Sequence, residues 1–175
     1  MTEKILPIPE MAEELANRSK IEDFLIYEAS LLDERKFEEW RDLFVEDGWY
    51  WVPLNASHTD PGAQAALFYD DRAMMKTRID RLRHPRIHSQ TPPHRTCHQI
   101  GNVRVEDIDA KAAECTARST LFFADYRLHV QRQFAAHVQH RLRLVSEQSP
   151  VWKIVWKRVD LLNADDVHEL IAVPF

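Results

Sequence analysis

Four histidines crowd the stretch from Arg81 to Asn102: His84, His88, His94 and His98, with Cys97 beside the last. Imidazole and thiolate bind transition metals and move protons near neutral pH, so metal and acid–base chemistry would first be sought here. A Rieske iron–sulfur site needs two cysteine and two histidine ligands in paired motifs. Cys97 and His98 are adjacent and Cys115 has no histidine near it in sequence, so no such site is legible. A mononuclear iron site needs two histidines and a carboxylate converging on one open position. His84 and His88 have helical spacing, but Pro85 between them breaks the helix that this spacing requires. His94 and His98 straddle a loop-to-strand junction, where a separation of four does not converge ligands. His137 and His140 are three apart in a predicted strand and point to opposite faces. Surface or interface histidines are the simpler reading.

A second chemistry is an acid–base pocket. His98, Asp47, Tyr27 and Tyr50 could supply one, with a carboxylate poising the imidazole as a general base for dehydration or for proton abstraction beside a carbonyl. The same tyrosines equally suit a core with hydroxyls at its rim, and His98 a strand position with its bonds satisfied. Nucleophilic catalysis has little support: there is no Gly-x-Ser-x-Gly, and neither cysteine has a recognised nucleophile context. Glu28 falls on an otherwise apolar helix face. A buried carboxylate needs a cation, and an arginine from residues 78–104 is the expected partner.

The elements that must position these groups read as helices first and strands after. Residues 1–18 are expected to be a flexible arm, since Pro7 and Pro9 interrupt regular structure. Ser19 and Glu22 have capping-box spacing for a helix start. Ile21, Phe24, Leu25, Glu28, Leu31 and Leu32 then share one face at helical period. A short helix fits 36–44, and Asp47-Gly48 signals a turn. Trp49–Leu54 reads as a strand, 55–66 as a loop and 70–82 as a third helix. From Thr96 the period becomes two, with strands expected over 96–106, 111–123, 133–146, 151–162 and, last and short, 169–173. Helices segregated from a run of long strands predict a single α+β domain over 19–175: a curved antiparallel meander, its concave face covered by helices, forming a cone whose mouth can hold a pocket.

Composition excludes several classes. Three glycines among 175 residues leave no material for phosphate-cradling loops. A net charge of −5 argues against nucleic acid as a partner. Two cysteines are too few for a disulfide framework and suit reduced thiols in the cytoplasm. No apolar run approaches the roughly 20 residues of a membrane span. The charge is uneven: residues 1–47 carry 14 acids and 6 bases, whereas 78–104 carry six arginines and one acid, Asp80. Arginine is favoured at protein interfaces, which makes Arg81, Arg83, Arg86 and Arg95 the candidate interface residues.

Ordered motifs sharpen this reading. They are Phe24–Asp33 (FLIYEASLLD) with Phe37-Glu38-Glu39-Trp40, Trp49–Leu54 (WYWVPL), Asp70-Asp71 followed by Arg78–Leu82 (RIDRL), Pro93–Thr96 (PHRT), Asn102–Val105 (NVRV), Trp152-Lys153-Ile154 and Arg158–Leu162 (RVDLL). In this set the chain resembles the small (β) subunit of bacterial aromatic-ring-hydroxylating dioxygenases over roughly residues 20–175, departing from it at 83–88 and 124–129. The resemblance implies an NTF2-like (cystatin-like) cone and a structural role with no catalytic, cofactor or metal-binding residue on this chain. It also implies a large (α) subunit as partner, carrying a Rieske [2Fe–2S] cluster and mononuclear Fe(II), and a three-plus-three hexamer in which this chain self-associates as a trimer.

Overall fold

The structure, a computed structural model, describes residues 7–84, 91–145, 151–166, 171 and 173–175. Helix α1 (Ile8–Leu15) lies within the expected flexible arm. Pro9 sits in its first turn, where a missing N–H breaks no bond, so proline starts this helix instead of preventing it. It buries Met11 and Leu15. Helix α2 (Arg18–Asp33) is capped two residues before the expected position, because Asn17, not Ser19, accepts a hydrogen bond from the Lys20 N–H at 3.3 Å. Ile21, Leu25, Leu31 and Leu32 are buried along its inner face. The short α3 (Phe37–Arg41) buries Phe37 and Trp40.

Strand β1 (Phe44–Pro53) runs straight through Asp47-Gly48, where a turn was expected. It pairs with β2 (Ala66–Asp71), a strand whose ends fall in the expected loop 55–66 and the expected helix 70–82. Asp71 then caps α4 (Arg72–Arg83), accepting from the Met74 N–H at 2.7 Å. Four long strands follow: β3 (Arg95–Asp109), β4 (Glu114–Arg127), β5 (Val130–Leu144) and β6 (Trp152–Leu161). Leu128 and His129, both at positive φ, form the two-residue turn between β4 and β5, matching the twist of the strands they join.

The sheet order is β2-β1-β6-β5-β4-β3. The meander is as expected, but the sheet is completed by the β1–β2 hairpin, with β1 parallel to β6. Of the expected strand at 169–173, Ile171 and Val173 are not in a strand, and the other residues lie outside the described ones. The architecture is α+β, with the helices on one face of an open six-stranded sheet. Alternation sets that face: Phe134, Ala136, Val138, His140, Leu142 and Leu144 of β5 all point into one core with α2.

Gly48 marks where β1 shifts register against β6 between Phe44 and Trp49. A Cβ there would stand 3.0 Å from the carbonyl oxygens of both Ile154 and Val45. Neither is a side chain that can rotate away. Gly48→Ala is expected to lower the unfolding free energy by about 1–3 kcal/mol in a denaturant titration. Gly62→Ala, where the nearest atom would be 3.5 Å away, should stay within about 0.5 kcal/mol of the parent.

Candidate functional site

Glu28 is buried from solvent in the middle of α2 and receives three donors. Trp40 Nε1 donates at 3.0 Å, His140 Nε2 at 2.9 Å and Lys157 Nζ at 2.7 Å. The cation is therefore Lys157 of β6, not an arginine from 78–104. A bulge explains its presence inside. Arg141 faces Trp156 and Leu142 faces Ile154, so Val155 is unopposed and the inward phase of β6 flips. Trp152 and Ile154 point inward before the bulge; Lys157, Val159 and Leu161 do so after it. Trp156 is turned outward and stacks on Trp49 at 5.5 Å.

Burial pushes the Glu28 carboxyl up, but the Lys157 ammonium and His140, by charge and by hydrogen bond, outweigh it and hold the group far below the usual carboxylate range. Burial pushes the His140 imidazole below its ordinary value in spite of Glu28, so it donates from Nε2 as a neutral ring. The centre is thus one anion, one cation and two neutral donors. Its Nδ1 is buried without a hydrogen-bond partner among the described residues.

A second set of contacts joins the end of α2 to the start of β3. Asp33 accepts from Thr96 Oγ1 at 2.9 Å, from the His98 N–H at 2.9 Å and from His98 Nδ1 at 2.6 Å. Burial pushes the Asp33 carboxyl up, and the bonds from His98 reverse this and bring it below its ordinary value. With Nδ1 donating, Nε2 carries a lone pair, and it is buried without a described partner. This is the local form of a general base held by a carboxylate. The ring, however, is stacked on Phe123 at 5.2 Å with its side chain only 1% exposed. Next to it, His94 Nδ1 stands 2.5 Å from Asp125 Oδ1, and Arg132 pairs with the other oxygen of Asp125.

The other members of the acid–base set lie elsewhere. Asp47 is exposed on β1, with three strands between it and β3 in sheet order, and Asp33 takes the place expected for it beside His98. Tyr27 is half exposed on α2. Tyr50 is buried, and its hydroxyl donates to the Phe175 carbonyl at 3.0 Å. Cys115 is fully buried, which pushes its thiol up to about 12 and leaves it inert as a nucleophile. Among the described residues no group of three His, Cys, Asp or Glu side chains could hold a metal ion. No helix among them is long and apolar enough to cross a membrane.

The arginines gather at one end of the molecule. Arg81 is exposed at the end of α4. Arg83 pairs with Glu38 at 2.8 Å and donates to the Arg35 carbonyl at 2.7 Å. Arg35 donates to the His94 carbonyl at 3.2 Å, and Arg127 to that of Pro92 at 3.0 Å. Arg95 lies over the Tyr126 ring at 4.6 Å. Arg86 and His88 lie outside the described residues.

A family model described as the ring hydroxylating β subunit matches residues 27–165, a span that contains the Glu28 cluster and both histidine–aspartate pairs. The chain belongs to that family. The small oxygenase component of the p-cumate 2,3-dioxygenase system of Pseudomonas putida is 33% identical over 161 residues, covering 89% of this chain and 86% of its own. The crystal structure of the β subunit of benzoate 1,2-dioxygenase from Burkholderia mallei superposes with a TM-score of 0.70 and 25% identity, covering 89% of this chain and 96% of its own. An NTF2-like protein with a cystatin-like fold from Novosphingobium aromaticivorans superposes at 0.59 with 20% identity over 89% and 88% of the two chains, which bears on fold alone. The cone expected from sequence is the family's fold, and the chain is a component of oxidoreductase systems acting on aromatic rings.

The buried centre makes two predictions. Glu28→Ala leaves Lys157 buried without its anion and should cost about 3–5 kcal/mol of stability in a denaturant titration. Acidification acts twice. Because folded His140 protonates at lower pH than its ordinary 6.5, the unfolded chain binds more protons there, and stability should fall as pH drops below that value. The Glu28 contribution is complete above its ordinary 4.5 and is lost as pH falls toward the depressed folded value. His140→Gln, which keeps a donor but not the titration, should remove the upper stage from a profile of melting temperature against pH and leave the lower one.

Proposed function

We propose that this chain is the non-catalytic structural β subunit of a bacterial aromatic-ring-hydroxylating dioxygenase in the cytoplasm. It holds together a large α subunit that carries the Rieske [2Fe–2S] cluster and the mononuclear Fe(II), and it supplies no ligand or catalytic group itself. Residues 19–175 act as one domain. The assembly is a three-plus-three hexamer in which this chain forms a trimer. The complex adds O₂ to an aromatic ring in the degradation of aromatic compounds.

The observation that carries this reading, beside family membership, is how the interior polar groups are used. His140 and Lys157 both bond Glu28, Asp33 holds His98, and Phe175 fills the cone against Tyr50 and Phe123. A catalytic cone keeps such groups facing an open cavity; here they tie helices to the sheet. The arginine end, with Arg81, Arg83 and Arg95, is the surface through which we expect the subunits to meet; Arg86, the fourth arginine expected there from sequence, lies outside the described residues.

Co-expression with the large subunit from the same host tests both points. A brown complex of equal stoichiometry and hexameric mass is expected. A colourless homo-oligomer that turns over a substrate alone would instead favour a lyase or isomerase working through His98. Arg81→Glu combined with Arg95→Glu should weaken assembly by about tenfold or more while leaving the melting temperature of the isolated chain unchanged. Undiminished assembly would move the interface elsewhere.

A further inference from the structure

The face of the sheet turned away from the helices carries a groove of about 620 Å³ across β3, β4 and β5. Arg104, Arg118, His137 and Gln139 line it. Their strand neighbours Val103, Ser119 and Val138 are buried, so alternation turns these four side chains outward. A bulge on β3 shapes one wall. Gly101 opposes Thr120 and Arg104 opposes Arg118, so Asn102 and Val103 share the place opposite Ser119. Asn102 sits there at a φ of 53°, a conformation that asparagine tolerates, and its Nδ2 donates to Thr120 Oγ1 at 3.0 Å. Arg18, exposed at the start of α2, completes the lining.

Three guanidiniums thus meet at one groove, and their charge is largely uncancelled. Arg104 and Arg118 stand directly opposite each other on neighbouring strands, a like-charge pairing that destabilises a sheet. Arg118 bonds Glu106 through Nε at 2.6 Å, and its two terminal nitrogens have no hydrogen-bond partner among the described residues. Arg104, Arg18 and the Gln139 amide have no hydrogen bond or ion pair among those residues. The carboxylate of Asp160, cross-strand partner of His137, is held on both oxygens by Arg158 and does not serve the groove.

We propose that this groove binds a phosphorylated polyol, the class to which sugar phosphates belong. Side chains directly opposed on antiparallel strands leave Cβ atoms about 4.5–5.5 Å apart, so Arg104 and Arg118 close on one compact group and not on two separate ones. A phosphoryl group places close to two negative charges and three acceptor oxygens in that space, and planar guanidiniums meet such oxygens with paired hydrogen bonds. The groove is much larger than a phosphoryl group and falls in the range of small-molecule sites, roughly 300–1,000 Å³. Its remaining lining is polar, with the amides of Asn102 and Gln139 and no Phe, Tyr or Trp, which matches hydroxyls and not an apolar ring. The site goes beyond the structural role, because it needs neither the large subunit nor the arginine end.

The test titrates the full chain calorimetrically at low ionic strength, where exposed charges are least screened, with ribose 5-phosphate, ribose and inorganic phosphate. Ribose 5-phosphate should saturate a single site, inorganic phosphate should bind about tenfold more weakly, and ribose should not bind. Arg104→Gln should weaken ribose 5-phosphate by about tenfold or more. It should not lower the melting temperature of the free chain, since it removes a charge opposed to Arg118. Lys111→Gln deletes the same charge from the exposed turn after β3, outside the groove, and should bind like the parent. Ribose 5-phosphate should also raise the melting temperature of the parent and of Lys111→Gln but not that of Arg104→Gln. Absence of saturable binding, or equal weakening by the two substitutions, overturns the proposal. Inorganic phosphate as tight as ribose 5-phosphate overturns the polyol assignment.

Discussion

Lys157 cannot be buried without Glu28, and the architecture is arranged around that requirement. Removing a carboxylate and an ammonium from water costs several kcal/mol per ion before their attraction and hydrogen bonds return any of it. The return requires short contacts, and the 2.7 Å bond from Lys157 with the further donors Trp40 and His140 supplies them. Those four residues come from α2, α3, β5 and β6. Apolar burial alone would let α2 slide along the sheet, since the hydrophobic effect has no direction. A carboxylate with three donors at fixed angles admits one position. The ion pair is thus better understood as fixing the register of helix on sheet than as adding stability.

The same constraint separates what was legible in the sequence from what was not. Helix α2 was legible because its apolar residues repeat at 3.6, and Glu28 stood out as the polar exception on that face. Its partner was not, because Lys157 reaches the interior only through the bulge opposite Arg141 and Leu142, which no periodicity reveals. His98 was legible as a histidine needing a carboxylate. Choosing Asp33 over Asp47 required knowing that the last residue of α2 lies over the start of β3, 65 positions away in sequence. Strand β2 was hidden because its closing Asp70-Asp71 resembles a helix start, and Asp71 does serve as one. The four long strands were legible as pairs because short turns join them; the β1–β6 pairing, parallel and more than 100 residues apart in sequence, was not.

The interior shows how one fold serves binding, catalysis or support with little change of backbone. An imidazole held by a carboxylate, a buried tyrosine and an acid–arginine pair are all present, which in a hollow cone would be the parts of an acid–base site. What decides between the uses is where the free lone pairs and protons end up. Here Tyr50 spends both functions of its hydroxyl on Phe175, and His98 is packed flat against Phe123. Tyr50 and Asp33 are thereby used to hold the protein together, while Nε2 of His98 keeps a lone pair without a described partner. Polarity of the interior is therefore no guide to activity until each group's partners are counted.

The arginine end follows a different logic from the rest of the surface. Elsewhere several arginines are neutralised within the chain: Arg118 by Glu106, and Arg141 and Arg143 by Glu114. At the end built from α2, α4 and the start of β3, Arg83 is paired with Glu38, but Arg35 donates to the carbonyl of His94. A carbonyl fixes a guanidinium without cancelling its charge. Burial first, and the nearby Arg83 second, lower the proton affinity of Arg35. Such crowding raises the free energy of the isolated chain, and an acidic surface brought against it relieves the repulsion with little ordering left to do, because the side chains are already in place. With the interface proposed here, the cost of a preset positive end in the free subunit is returned on assembly. That balance suits a chain whose working state is a complex.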